Sequence, residues 1–152
     1  MTDNLGLIPE TLACRHRRAP DSYSEQFMSH VMTPRNVGIL PHPDGFGAPE
    51  DGCGDSMEIS LVIKDDVITD IAFMTDGCAY TIACGSAVTE LASGMQWQQA
   101  LRINSGDISR ELGGLSNDYL HCAELAAATL HLALKDYLES KRAPWKNQYR
   151  KR

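Results

Sequence analysis

No run of apolar residues in this 152-residue chain approaches the ~18 needed to cross a bilayer, so a membrane span is not expected. The first twenty residues, MTDNLGLIPETLACRHRRAP, lack the apolar stretch of a secretory signal. Arg15, Arg17 and Arg18 follow the short hydrophobic residues, where a signal would place its positive charge first. The expected location is the cytoplasm. Positive charge is scarce through the middle of the chain: residues 36–140 hold four Lys or Arg against sixteen Asp or Glu. A nucleic acid is therefore not expected as the main ligand, because an acidic surface repels phosphate. Three enzyme signatures are also missing. There is no C-x-x-C for a disulfide oxidoreductase, no H-x-E with P-C-x-x-C for a zinc deaminase, and no P-loop Lys-Ser/Thr after the glycine-rich DGFGAPEDG.

What is present begins with five cysteines, Cys14, Cys53, Cys78, Cys84 and Cys122. An odd number, in a chain read as intracellular, argues against a disulfide framework and for metal or thiol chemistry. The organisation around them is that of one domain over residues 23–142, with an N-terminal arm over 1–22 and a basic tail over 143–152. Six Lys or Arg and no acid lie between Lys141 and Arg152, most simply a solvated tail.

Within the domain, DSYSEQFMSHVMTPRNVG reads as a short helix with Ser22 or Ser24 as N-cap, Phe27 and Val31 on its apolar face and Pro34 as its stop. The Gly/Pro-rich stretch from Gly38 to Gly54 reads as irregular and exposed. From Met57 the period is two, with Met57, Ile59, Leu61 and Ile63 facing inward and Glu58, Ser60, Val62 and Lys64 outward. Asp65-Asp66 makes a tight turn, and VITDIAFMT returns as the second strand of a hairpin. AYTIACGSAVTELASG reads as a helix with Ile82, Ala83, Ala87, Val88 and Leu91 on its core face, closed by Gly94. Two short helices follow, MQWQQALR and SGDISREL, the latter capped by Ser105 or Asp107. A long helix runs from about Asp118 to Arg142, its stripe formed by Leu120, Ala123, Ala127, Leu130, Leu134, Tyr137 and Leu138. Strands first and helices after them predict an α+β fold, a small mainly antiparallel sheet with helices packed on one face.

On this scaffold Cys53, Cys78 and Cys122 each fall at the junction of a loop and a regular element, positions exposed enough to take a ligand. A helix N-terminus stabilises a thiolate at Cys78 and Cys122, and Gly52, Gly54 and Gly77 let the backbone turn closely around a bound ion. Asp55 brings a carboxylate to the corner of Cys53, and His121 brings an imidazole beside Cys122. The candidate constellation is Cys53, Asp55, Cys78, His121 and Cys122. Taken singly, a cysteine is more often a small hydrophobe and a helical histidine merely packed. The residues leave open a structural or regulatory zinc site using the same ligands.

Four stretches go further. PRNVG (34–38), GCGDSM (52–57), TDGCAYTIACGSAVTELASG (75–94) and HCAELAAATL (121–130) closely resemble the IscU/NifU-type scaffold for iron–sulfur cluster assembly, over about Tyr23 to Arg142. The resemblance implies a SufE/NifU-like fold and a scaffold or carrier rather than an enzyme. Cys53, Cys78 and Cys122 would hold the cluster, [2Fe–2S] in type, with zinc as an alternative occupant. Asp55 would keep the cluster labile, His121 would be an additional or alternative ligand, and Cys122 would receive persulfide sulfur. The implied partners are a cysteine desulfurase and apo iron–sulfur proteins. A homodimer sharing a cluster is compatible with three thiolates per site. Two features depart from the family pattern. LGGLSNDYL stands where well-studied members carry LPPVK, which puts chaperone docking in doubt. Cys84 stands where many have serine, and a core-packing role is the favoured reading for it. Cys14 lies outside the matched region.

Overall fold

The computed structural model describes residues 23–49 and 56–143; the expected arm and basic tail, with Cys14, and the pair Cys53 and Asp55 lie outside the described residues. Three antiparallel strands form one sheet in the order β1 (Gly45–Gly47), β2 (Met57–Lys64), β3 (Val67–Thr75). Around it pack α1 (Glu25–Met32), α2 (Ala79–Ala92), α3 (Trp97–Ala100), α4 (Ser105–Glu111) and α5 (Leu120–Arg142). The architecture is the α+β arrangement that the order of strands and helices predicts.

The hairpin forms where expected. Lys64 pairs with Val67, and both turn residues take positive φ, +52° at Asp65 and +66° at Asp66. That is the mirror-image turn whose twist suits adjoining strands, and Asp tolerates it better than most side chains. In β2 the alternation holds except at Ser60, which is buried because the chain at Leu40 lies over it and donates its backbone N–H to Ser60 Oγ at 3.2 Å. The same segment extends the sheet edge, with Asn36 O accepting from Phe73 N and Gly38 N donating to Phe73 O.

The stretch from Gly38 to Gly54 is not wholly irregular. Gly45–Gly47 pairs with Leu61, Ser60 and Ile59 as a third strand. A Cβ on Gly47 would lie 2.5 Å from Thr129 O and Ala133 N, and one on Gly45 would lie 2.3 Å from Ala133 O. The strand is glycine-rich because the backbone of α5 rests directly on it. Asp136 on α5 fastens the contact by accepting from Phe46 N at 2.9 Å.

Helix α2 is the most enclosed element. Its residues from Ala79 to Thr89 are buried save Ile82, which with Leu91 is only half-buried, so the expected five-residue core face widens to nearly the whole circumference. The helix fits because Gly85 leaves room for the Phe73 ring, which a Cβ there would meet at 2.5 Å. Helix α1 is capped by Ser24, whose hydroxyl accepts from Phe27 N, and Ser24 Oγ also donates to Leu112 O at the end of α4. The cap of helix α4 lies one residue before Ser105 and three before Asp107, the two caps predicted. Asn104 is the N-cap, and Asp107 reaches back to its N–H to complete a capping box. The long helix begins with a 3-10 turn over Asn117–Tyr119 and continues as α5, about 34 Å long at 1.5 Å per residue. Its predicted stripe faces the core, with Ala123, Ala127, Leu130 and Leu134 buried and Leu120 and Tyr137 packed at its margin.

Candidate sulfur and metal site

Cys78 is the N-cap of α2, and Cys122 lies in the first turn of α5. The two are 44 positions apart, yet Thr81 lies between them. Its hydroxyl is 3.6 Å from Cys78 Sγ and donates to Cys122 Sγ at 3.7 Å. His121 turns back on its neighbour, with Nε2 3.5 Å from Cys122 Sγ. Three of the five sequence candidates thus meet at one corner, where two helix starts converge.

The expectation that these junctions are exposed is not met. Cys78 is 6% exposed and Cys122 is 0%. Both cysteines belong to the buried core, together with a group of aromatic rings that sequence reading passed over. Tyr80, two residues after Cys78, stacks on Tyr119, three residues before Cys122, with centroids 3.7 Å apart and planes parallel to within 1°. Phe27 on α1 lies 4.8 Å from the Tyr80 ring and Tyr23 lies 5.1 Å from Phe27. Stacked aromatics contribute about 0.5–1.5 kcal/mol beyond their burial, so the stack fixes one cysteine-bearing helix start against the other. Burial and two neighbouring tyrosines push the Tyr80 phenol well above its ordinary value, so this hydroxyl stays neutral. The signal available in the sequence was an aromatic within three residues of each cysteine.

Cys78 is in a disulfide, which the cysteine count argued against, whereas Cys84 and Cys122 are not disulfide-bonded. A disulfide sulfur becomes a metal-binding thiolate only on reduction. Cys84 is 0% exposed in the core, and burial, with Cys122 nearby, pushes its thiol well up, as expected of a packing residue. Gly77 has a more specific role than free turning, since a Cβ there would meet Thr81 at 2.8 Å. Just upstream, Ser56 donates through its backbone N–H (3.3 Å) and its hydroxyl (2.7 Å) to Asp76 Oδ1, which holds this carboxyl below the usual range. Thr75 Oγ1 donates to Ser56 O and accepts from Gly77 N at 3.1 Å. These bonds tie the start of β2, one residue beyond Asp55, to the turn that carries Cys78.

A second group of chemistry-bearing side chains was missed altogether. His30 of α1, Glu90 of α2 and Glu111 of α4 converge with ligand atoms all within 4.8 Å of one another. Burial and Arg35 hold the His30 imidazole below its ordinary pKa, and burial beside Glu90 raises the Glu111 carboxyl.

The α+β fold that carries this Cys-Thr-Cys-His corner belongs to a family that comparison identifies. The chain belongs to the family described as NifU-like N terminal domain, whose model matches residues 22–144. It is 42% identical over 119 residues to the iron-sulfur cluster assembly scaffold protein IscU of Aquifex aeolicus, covering 76% of each chain. It is also 42% identical over 116 residues to the iron-sulfur cluster assembly scaffold protein IscU 1 of Archaeoglobus fulgidus, again over 76% of each. Among solved structures it superposes on a NifU-like protein (N-terminal) from Brucella abortus with a TM-score of 0.61, over 76% of this chain and 94% of that one, at 18% identity; this likeness bears on the fold. None of the described helices is long and apolar enough to cross a membrane.

Proposed function

We propose that the chain is a scaffold on which iron–sulfur clusters are assembled from iron and desulfurase-derived sulfur and then handed to apo-proteins. The observation that carries this reading is the meeting of Cys78, Cys122 and His121 around the Thr81 hydroxyl, in a member of the NifU-like family. Cys53, Cys78 and Cys122 are the proposed thiolate ligands, with Asp55 and His121 as the oxygen and nitrogen donors. A carboxylate in place of a fourth thiolate suits a cargo that must leave, because oxygen binds the soft iron–sulfur unit less well than sulfur does. A [2Fe–2S] cluster is the proposed cargo, and zinc competes for the same donors.

Cys122 is also the proposed acceptor of persulfide sulfur. Its thiolate attacks the outer sulfur of a desulfurase persulfide, the donor's inner sulfur leaves as thiolate, and the proton of Cys122 is taken up by His121 Nε2 or solvent. Both electrons of the broken S–S bond leave with the donor, so the transfer needs no external oxidant. The partners proposed are therefore a cysteine desulfurase and apo iron–sulfur proteins, and the protein acts as carrier rather than catalyst.

The test is anaerobic reconstitution of the reduced protein with ferrous iron, cysteine and a cysteine desulfurase, following visible absorption, iron and acid-labile sulfide. A sulfide-containing chromophore that forms in the parent, fails in Cys122→Ser and passes to an apo-ferredoxin is expected. Retention of one zinc, with no sulfide acquired and unfolding on chelation, would replace this reading with a structural zinc module.

A further inference from the structure

The group formed by His30, Glu90 and Glu111 lies far from the cysteine corner: Glu90 is twelve residues beyond Cys78, about 18 Å along α2. The His30 side chain is only 4% exposed, and those of Glu90 and Glu111 are 43% and 33% exposed. Nδ1 of the imidazole is committed to Ser86 Oγ at 2.7 Å, and the same hydroxyl oxygen accepts from Arg35 N at 2.9 Å, which fixes the ring. Nε2 is thereby aimed between the carboxylates, 3.8 Å from Glu90 Oε1 and 3.7 Å from Glu111 Oε2.

At 3.7 and 3.8 Å these are ion-pair separations, too long for the buried ring nitrogen to hydrogen-bond either oxygen. They lie close to the about 3.4 Å that separates neighbouring ligand atoms around a tetrahedral ion with bonds of about 2.1 Å. Arg35 occupies the other oxygen of Glu90, with Nε 3.3 Å from Oε2, and so orients that carboxylate with Oε1 toward the imidazole. Glu90 also lies in the last turn of α2, where the helix dipole disfavours a carboxylate and favours a cation. The partly open carboxylates leave a route in and room for water as further ligands.

We infer that His30 Nε2, Glu90 Oε1 and Glu111 Oε2 form a binding site for a divalent first-row transition cation, separate from the cysteine ligands. One imidazole and two carboxylates suit ferrous, manganous or zinc ions and offer no sulfur. By joining α1, α2 and α4, the ion would clamp three helices at the end of the molecule remote from Cys78.

Cobalt(II) distinguishes the two sites, because thiolate ligation adds an intense near-ultraviolet charge-transfer band and nitrogen–oxygen ligation gives only weak visible absorption. The reduced full-length protein is expected to bind two equivalents of Co2+. Cys122→Ser, which removes one of the three proposed thiolates, is expected to weaken the charge-transfer band and keep the second equivalent. Glu111→Gln is expected to keep the band and bind the second equivalent at least about tenfold more weakly, since losing a ligand costs no less than losing a partner that merely orients one. Glu90→Gln is the parallel variant, and circular dichroism establishes that each is folded. A single equivalent in the parent that carries the charge-transfer band, or a second equivalent unaffected in whichever glutamine variant folds, would overturn the assignment. Neither result touches the scaffold reading, which rests on sulfide incorporation.

Discussion

The two ends of α2 face opposite chemistries. At its start, Cys78 caps the helix beside a second thiol, a buried hydroxyl and stacked rings. At its finish, Glu90 meets an imidazole, a second carboxylate and a guanidinium. The helix dipole runs the same way through both, so its positive end favours thiolate and sulfide and its negative end favours a metal cation. One enclosed helix, without a charged side chain from Ala79 to Thr89, separates a corner of sulfur donors from a cluster of nitrogen and oxygen donors. The difference teaches that site chemistry here is set by helix polarity as much as by residue type.

The largest expected effect breaks one end alone. Cys122→Ser should abolish retention of acid-labile sulfide after reconstitution while leaving the nitrogen–oxygen end able to bind Co2+. Loss of both would mean that the ends are not independent. Next is a change to what they share. Gly85→Ala forces a methyl group into the buried Phe73 ring and should cost about 1–3 kcal/mol, read from the urea midpoint. An unchanged midpoint would show that α2 can move off β3 freely. Asp55→Ala sharpens the soft end and should slow cluster transfer to an apo-ferredoxin several-fold without stopping assembly; equal transfer rates in variant and parent would remove Asp55 from release. The smallest effect is expected from Tyr119→Leu, which keeps an apolar side chain but loses the stack on Tyr80. It should cost about 0.5–1.5 kcal/mol, and a larger share of that loss should appear as weaker cluster retention if the stack aligns the two helix starts.

The hairpin, the long helix and the cysteine-centred motifs were legible because each has a local signal: alternation about Met57–Lys64, an uninterrupted 3.6-residue stripe before Arg142, and glycines flanking the cysteines. Strand β1 was not, since Gly-Phe-Gly has no alternation and its strand character comes from the bare backbone that α5 requires 82 or more residues later. Burial of Cys78 and Cys122 was misjudged because both join a core assembled from α1, α2, α5 and the sheet, which no local signal around either cysteine reveals. His30 did leave a trace, lying three residues after Phe27 on the buried face of α1. Its partners sit on two other helices, 60 and 81 positions away, and no spacing rule connects them. Asn104 was overlooked as a cap although Asn104 and Asp107 have capping-box spacing; offering Ser105 or Asp107 weighed single residues instead of the reciprocal pair.

The short strand under α5 has one more consequence. Because Gly47 is paired opposite Ile59, the connection that carries Cys53 and Asp55 leaves and rejoins the sheet on neighbouring strands, with both ends pinned by the hairpin ladder. The separation of the two points where this connection meets the body is therefore fixed by the β1–β2 ladder, so a substitution that loosens β1 from β2 would change the span available to both proposed ligands at once.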